Sequence, residues 1–331
     1  MRGFLLHFWA SFAISASISW ALILVLRRLY LYQNLKRYGP ERHLREKVGT
    51  PTAGGVAFVL ALLAFAVLGL LREGLGPRSS LLVLGTSAFS AVGFLDDLLK
   101  WRSGTSEGLT ERSKFALQCL VALALTVFAV RAGLKERVFL LPSWGLEVGG
   151  HGLAGVLGLI ASTFVLVGTV NAVNIADGLD GLAAGGALLS LASLLLLGGG
   201  GKVELSELLP YLWVVMGSLV AFLVFNWHPA MLFMGDVGSH FLGGVLGISS
   251  FLLSSEWLLL FLGGLFVWDT ASVLVQRLSL SLFSRRVFSM SPFHHHFELK
   301  GHSEPSIVLG FLLCHSASCL VGMLLLWGVA R

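Results

Sequence analysis

Charge is what this sequence has least of. Only 12% of its 331 residues are Asp, Glu, Lys or Arg, against 56% hydrophobic, and its mean hydropathy is +0.84. A water-soluble domain carries about twice that charged fraction, so the soluble classes are excluded. Long polar connections are lacking too: the longest, between the first two apolar stretches, is about 27 residues. No separate soluble domain fits there, and residues 1–331 read as one membrane domain. Cysteine is scarce, and Cys119, Cys314 and Cys319 all fall in apolar stretches. That excludes a disulfide framework or a Cys-based metal site. The net charge of +5 is modest and gathered in short loops. It suits anionic lipid headgroups or an anionic substrate, and no nucleic acid is expected.

What is present is a series of ten apolar stretches, at about 4–26, 54–71, 80–95, 115–130, 153–173, 181–197, 208–225, 237–253, 257–280 and 307–329. They predict an all-α, polytopic integral membrane protein of about ten transmembrane helices, the shorter ones completed by flanking residues. The first is too long for the apolar core of a signal peptide and is followed by Arg27-Arg28, so it reads as a retained span. Ten spans put both termini on one side. The alternate loops then divide the Lys and Arg residues 15 to 8, the richer set including Arg27, Arg28, Lys36, Arg37, Arg42, Arg45 and Lys47. The positive-inside rule makes that set cytoplasmic and both termini extracytoplasmic. On the outer side, Val138–Leu141 and Trp144–Val148 suggest a small hairpin. Gly198 to Gly201 followed by Lys202 reads as a flexible exterior loop.

Polar residues interrupt the apolar pattern at a few places. The most concentrated is Asn171-Ala-Val-Asn174-Ile-Ala-Asp177-Gly178-Leu179-Asp180-Gly181. Its amides and carboxylates recur every third residue, so neighbours share a helix face, and its glycines interrupt the helix. A polar turn between two spans is the bland alternative. Asp96-Asp97 ends the third stretch, a repelling pair that needs a cation, a proton or a partner such as Lys100. Lys47-Val-Gly-Thr50-Pro51-Thr52-Ala-Gly54-Gly55 leads into the second stretch, as a phosphate-binding helix start or as ordinary punctuation. Arg112 and Lys114 stand at the entrance of the fourth stretch, where basic residues also serve as interface anchors. Asn226 and Phe233 precede Gly235-Asp236-Val-Gly238-Ser239, with an aromatic able to stack on a base. Asp269 and Gln276 share a face of the ninth stretch, for packing or for function. His294-His295-His296 lies in the last inner loop; adjacent histidines rarely share one metal, and imidazoles meeting phosphate fit better.

Position joins these motifs. Asp96/Asp97, Asp177/Asp180, Asp236 and the histidines follow stretches three, five, seven and nine, all on the inner side with Lys47 and Lys114. The outer loops contain Glu but no Asp. A single shared cytoplasmic-face active site is the economical reading.

Gly49-Thr-Pro-Thr-Ala-Gly-Gly55, Phe94-Leu-Asp-Asp97, Asn171 to Leu182, Phe233-Met-Gly-Asp-Val-Gly-Ser239 and His294-His-His-Phe-Glu298 together resemble the polyprenyl-phosphate N-acetylhexosamine-1-phosphate transferases. The uninterrupted triple histidine is similar to the phospho-N-acetylmuramoyl-pentapeptide transferase branch. Ala53, Ala176 and His302 depart from the family's common Met, Thr and Trp. The resemblance implies transfer of phospho-MurNAc-pentapeptide from UDP-MurNAc-pentapeptide to undecaprenyl phosphate at the bacterial cytoplasmic membrane, giving lipid I and UMP with Mg²⁺ as cofactor. It also implies the roles. Asp236 would be the Mg²⁺ ligand, and Asp96, supported by Asp97, would deprotonate or orient the lipid phosphate. Asn174 and Asp177 would line the sugar–diphosphate region, while Lys114 and His294–His296 face phosphates. Lys47, Asp180, Asn226 and Phe233 would form the uridine pocket. Thr52, Asn171, Gly178, Leu179 and Gln276 complete the candidate substrate contacts. The bilayer is a partner, and a homodimer is the open question of assembly. The rivals are an N-acetylglucosamine-phosphate transferase, a lipid phosphatase and a transporter; the last usually places its polar groups near the midplane and on inverted repeats.

Overall fold

The computed structural model describes residues 2–29, 47, 49–72, 74–141, 144–148, 152–197 and 203–329. The chain runs α1 (Arg2–Arg28), α2 (Val56–Arg72), α3 (Pro77–Ser103), α4 (Glu111–Arg131), β1 (Arg137–Leu141), β2 (Trp144–Glu147), α5 (Leu153–Ala176), α6 (Leu182–Leu197), α7 (Val203–Asn226) and α8 (Gly235–Leu252). A 3₁₀ turn (Glu256–Leu258) then leads to α9 (Leu259–Leu262), α10 (Gly264–Phe283), α11 (Phe293–Leu299) and α12 (Glu304–Val329). Each apolar stretch of the sequence lies on helix. Among the described residues, six helices are long and apolar enough to cross a membrane, seven if the bent pair around Gly263 is one span, and α2 and α6 are shorter apolar helices. This is a polytopic helical membrane protein. Large apolar side chains such as Leu6, Trp9, Phe164 and Leu313 point outward, as a lipid-facing surface requires.

The ninth stretch, expected as one span over 257–280, is instead broken: its two halves meet at 88° at Gly263. Buried His315 of α12 accounts for the break. Its Nδ1 accepts the Leu265 N–H at 3.3 Å and its Nε2 lies 3.1 Å from the Gly186 carbonyl. The freed helix start thus finds a partner inside the bundle. The basic residues Lys36, Arg37, Arg42 and Arg45 and the exterior loop at 198–202 lie outside the described residues.

Helix α8 is the centre of the bundle. From Val237 to Leu252 every residue is buried, and α3 and α5 pack on it most extensively. Small residues permit the approach. A Cβ at Gly93 would lie 2.1 Å from the Asp236 carbonyl oxygen, and one at Gly55 would lie 2.1 Å from the Gly238 Cα. These contacts are backbone against backbone, so nothing flexible can give way. At the opposite end β1 and β2 pair antiparallel, Arg137 opposite Glu147, as the sequence suggested. Buried Lys135 ties that hairpin to α8, donating to the Phe251 carbonyl at 2.5 Å and pairing with Glu256. Burial pulls the Lys135 ammonium below its ordinary range, against the charge of Glu256.

Candidate functional site

The loop before α2 and the loop before α8 form a short two-stranded contact. Phe233 N–H donates to the Pro51 carbonyl at 2.9 Å, and Gly54 and Gly55 donate back to Phe233 and Met234 at 2.8 and 2.9 Å. Gly235 then turns with φ +73°, a conformation L side chains rarely adopt, and α8 begins. Asp97 caps that start. Its carboxylate accepts the backbone N–H groups of Asp236 at 3.2 Å and Val237 at 3.0 Å. Free helix N–H groups bind anions well, so Asp97 fixes the helix end that carries Asp236. Thr52 is buried beside them, close to Gly235.

Asp236 emerges from this frame toward three partners. Oδ1 accepts from Asn174 at 2.9 Å, while Oδ2 pairs with Lys100 at 2.9 Å and Lys114 at 2.6 Å. Asp96 pairs with the same lysines at 2.6 and 3.3 Å and accepts the Leu109 N–H at 2.8 Å. One carboxylate oxygen from each of Asp96, Asp97 and Asp236 falls within 4.8 Å of the others, a donor set able to hold a metal ion. All-oxygen ligation with few carboxylates suits Mg²⁺, and the fit rests mainly on Asp236 and Asp96, because Asp97 is engaged with backbone.

The turn at 177–181 joins this cluster to a second one. Helix α5 ends at Ala176, as the glycines suggested. Asp177 follows, its carboxyl pushed up to about 7, first by burial and then by the charge of Asp236, with Lys47 opposing. Leu179 is core. Asp180 pairs with Lys47 at 2.9 Å, accepts from His228 Nδ1 at 3.1 Å and Ala230 N–H at 3.0 Å, and gives its own N–H to Glu304 at 2.6 Å. Lys47 also meets Glu304 at 2.7 Å. Burial alone would lower the Lys47 ammonium, but Asp180 and Glu304 outweigh it and hold it above its ordinary value. Burial would likewise raise the Asp180 carboxyl, and Lys47 more than reverses that. Lys47, Thr50, Asp180, His228, Pro229, Ala230 and Phe233 line a cavity of about 220 Å³, with the ammonium 5.8 Å from the Phe233 ring centre. That volume is below the range for a whole ligand and suits one ring system. Asn226 is not on the lining; it accepts the Gly181 N–H at 3.0 Å and donates to the Leu232 carbonyl at 3.0 Å, bracing both walls.

The three histidines point to three different partners. His294, fully buried, bonds Asp269 through Nδ1 at 2.7 Å and through its backbone N–H at 3.3 Å. Its Nε2 has no hydrogen-bond partner and lies against Gly178, where a Cβ would come within 2.4 Å. His295 bonds Glu298 at 2.5 Å, and His296 accepts the Ser289 N–H at 3.1 Å. Gln276 clamps the loop before them, accepting from Val287 and Phe288 N–H at 3.0 and 2.9 Å. Asn171 lies deeper, donating to Gln118 at 2.7 Å, and Gln118 in turn reaches His240 at 2.9 Å.

The structure therefore brings Asp96, Asp97, Lys114, Asn174 and Asp236 together, and Lys47, Asp180 and Phe233 together. Asn171, Gln276 and His296 are engaged with other protein groups. Sequence reasoning left Lys100, His228, Asp269 and Glu304 out of the candidate site. Lys100 and Asp269 were visible, one and two helical turns from their motifs. Glu304, an acid in the first turn of the last span on the motif-bearing side, carried the signal that could have found it.

Residues 79–254 match the family model described as glycosyl transferase family 4. A phospho-N-acetylmuramoyl-pentapeptide-transferase of Desulforudis audaxviator (strain MP104C) is 42% identical over 312 residues, 91% of each chain. One of Geobacillus kaustophilus (strain HTA426) is 40% identical, again over 91% of each, and one of Oceanobacillus iheyensis is 35% identical over 98% of each.

Proposed function

Because this chain belongs to glycosyl transferase family 4 and to the phospho-N-acetylmuramoyl-pentapeptide-transferases, it is a membrane phosphosugar transferase of peptidoglycan synthesis, and we propose how its residues divide the work. The donor is UDP-MurNAc-pentapeptide and the acceptor undecaprenyl phosphate, in the bacterial cytoplasmic membrane. About ten helical segments cross or enter it as one domain, with both termini extracytoplasmic and the Asp236 cluster at the cytoplasmic face. An acceptor phosphate oxygen bonds to the sugar-bearing phosphorus, the bond to the other phosphate breaks, and UMP departs. The products are lipid I and UMP.

One observation carries this assignment: Asp236 and Phe233 stand on one short segment, joining a carboxylate–lysine cluster to a ring-sized cavity. Two phosphates must approach there. At about 4 Å and an effective dielectric near 20, each pair of unit charges repels by roughly 4 kcal/mol. Asp236 and Asp96 would hold a Mg²⁺ ion, which would supply charge stabilisation to the transferring phosphoryl group. Lys100 and Lys114, now on those carboxylates, are placed to turn their ammonium groups to phosphate oxygens. Asn174 holds Asp236 in line, and Asp96 orients or deprotonates the acceptor. Asp177 borders the diphosphate, and His294 and His295 stand behind Gly178 on the same side. The cavity takes the base, stacked on Phe233.

The test is UMP release by detergent-solubilised protein with undecaprenyl phosphate and Mg²⁺. Release with UDP-MurNAc-pentapeptide, abolished by EDTA, is expected. Release with UDP-N-acetylglucosamine instead would move the chain to the sister specificity.

A further inference from the structure

The cavity beside Phe233 has a charge balance that decides which part of a nucleotide sugar it receives. Among the described residues, Lys47 is the one lysine or arginine on its lining, and its ammonium already lies between Asp180 at 2.9 Å and Glu304 at 2.7 Å. Two carboxylates against one ammonium leave these three side chains at −1. A diphosphate entering here would meet no excess positive charge from these side chains. A neutral ring with both donors and acceptors on its edge would meet no such penalty.

Glu304 creates that balance without touching the cavity. Its side chain is 1% exposed and stands behind Lys47 and Asp180, at the first turn of α12. A single oxygen, Oε1, takes both the Lys47 ammonium and the Asp180 N–H. Its other oxygen is buried without a hydrogen bond, 3.8 Å from His228 Nδ1. A buried carboxylate so incompletely satisfied is costly to keep, so its retention in a binding site calls for a role. Asp180 Oδ1 is buried against the Lys47 ammonium at 2.9 Å, while Oδ2 accepts from His228 and Ala230, so the carboxylate is held in one orientation at the cavity wall.

We infer that Glu304 is a specificity-determining positioning residue of the base subsite. It holds Lys47 against Asp180, so that the pair presents one donor and one acceptor to the edge of a uracil ring and none of Lys47's charge is left for phosphate. This rests on the proposal that the cavity receives the base. Uracil offers a carbonyl beside a ring N–H, matching an ammonium beside a carboxylate. Cytosine reverses both groups, and a mismatch against buried polar groups is strongly rejected.

The experiment compares UMP with CMP, which share the phosphate and differ only in the base edge. Both are titrated into the full-length protein in detergent by calorimetry. Wild type is expected to prefer UMP by more than tenfold. Glu304→Gln, similar in shape and without the charge, is expected to weaken UMP about tenfold and to shrink the preference below about threefold. In turnover it should raise KM for the nucleotide sugar, with kcat within twofold and KM for undecaprenyl phosphate unchanged. Glu304→Asp, which keeps the charge, should retain the preference at reduced affinity. Unchanged UMP binding in Glu304→Gln overturns the inference, as does a loss shared equally by kcat and both KM values. So does a preference lost as fully in the Asp variant as in the Gln variant. A wild type that does not distinguish UMP from CMP would instead remove the base subsite itself.

Discussion

Two carboxylate clusters stand on either side of the 177–181 turn with the same formal charge and opposite construction. Asp96, Asp97 and Asp236 are opposed by Lys100 and Lys114, whose side chains are 27% and 17% exposed. Asp180 and Glu304 are opposed by Lys47, which is 8% exposed and held from two sides. Part-exposed lysines on long stems can exchange a carboxylate for water or another anion as they move, whereas a buried ion pair is costlier to open from one side. On the proposed roles, the first cluster would exchange its cations, for a metal ion or a phosphate, and the second would keep its own. Equal net charge says little about what a site binds; the exposure of the counter-ion says more.

The largest test of that contrast is Asp236→Ala. Removing the exchangeable cluster's central carboxylate should lower kcat about 10³-fold and flatten its Mg²⁺ dependence, while UMP binding at the other cluster stays within about threefold. Near-normal turnover with unchanged metal dependence would sink the assignment. Next in size is Gly93→Ala. The added methyl meets the Asp236 carbonyl at 2.1 Å, and since α3 and α8 touch there through backbone, overpacking of about 1–3 kcal/mol is expected. Turnover should fall about a hundredfold with a lower thermal midpoint, again sparing UMP binding. If activity survives, α8 has more room than its buried packing implies.

The smallest effect belongs to the turn between the clusters. The Asp177 carboxyl, ordinarily near 3.8, is raised to about 7 by burial and the Asp236 charge. Between those two values the folded protein holds a proton that the unfolded chain has released. Stability from this group is therefore full below about pH 4 and is lost as pH rises through about 7. In EDTA, the wild-type thermal midpoint should fall from pH 5 to pH 8 relative to that of Asp177→Asn, which cannot titrate there. A parallel pH dependence in the two proteins would show that Asp177 is not the group responsible.

Much of this was legible in the chain because the bilayer writes its demands plainly. The apolar stretches found their helices, and Val138 and Trp144 found their hairpin, since each follows from short-range pattern. The gathering of Asp96, Asp236 and Lys114 was legible because their motifs stand at the ends of alternate apolar stretches, which consecutive antiparallel helices bring to one end of a bundle. The pairing of Lys47 with Glu304 was not: 257 positions separate them, and nothing local to either residue records the other. The same holds for Asp269 and His294, where a polar stripe was visible on α10 but its partner was not. The bend at Gly263 escaped for another reason. Two adjacent glycines in an apolar stretch permit a break without requiring one, and what fixes it is His315 on a different helix.

The segment from Phe233 to Asp236 has one more consequence. Backbone bonds to Pro51, Gly54 and Gly55 pin it, and Asp97 pins its far end. Three residue steps cannot exceed roughly 11 Å between Cα atoms. The protein thus carries a rigid ruler, with an aromatic mark at one end and an acidic mark at the other. On the proposed assignment, a donor would be measured against it by length as well as by chemistry. A nucleoside whose linker to the reacting phosphorus is one phosphate too long or too short would bind at one mark and miss the other.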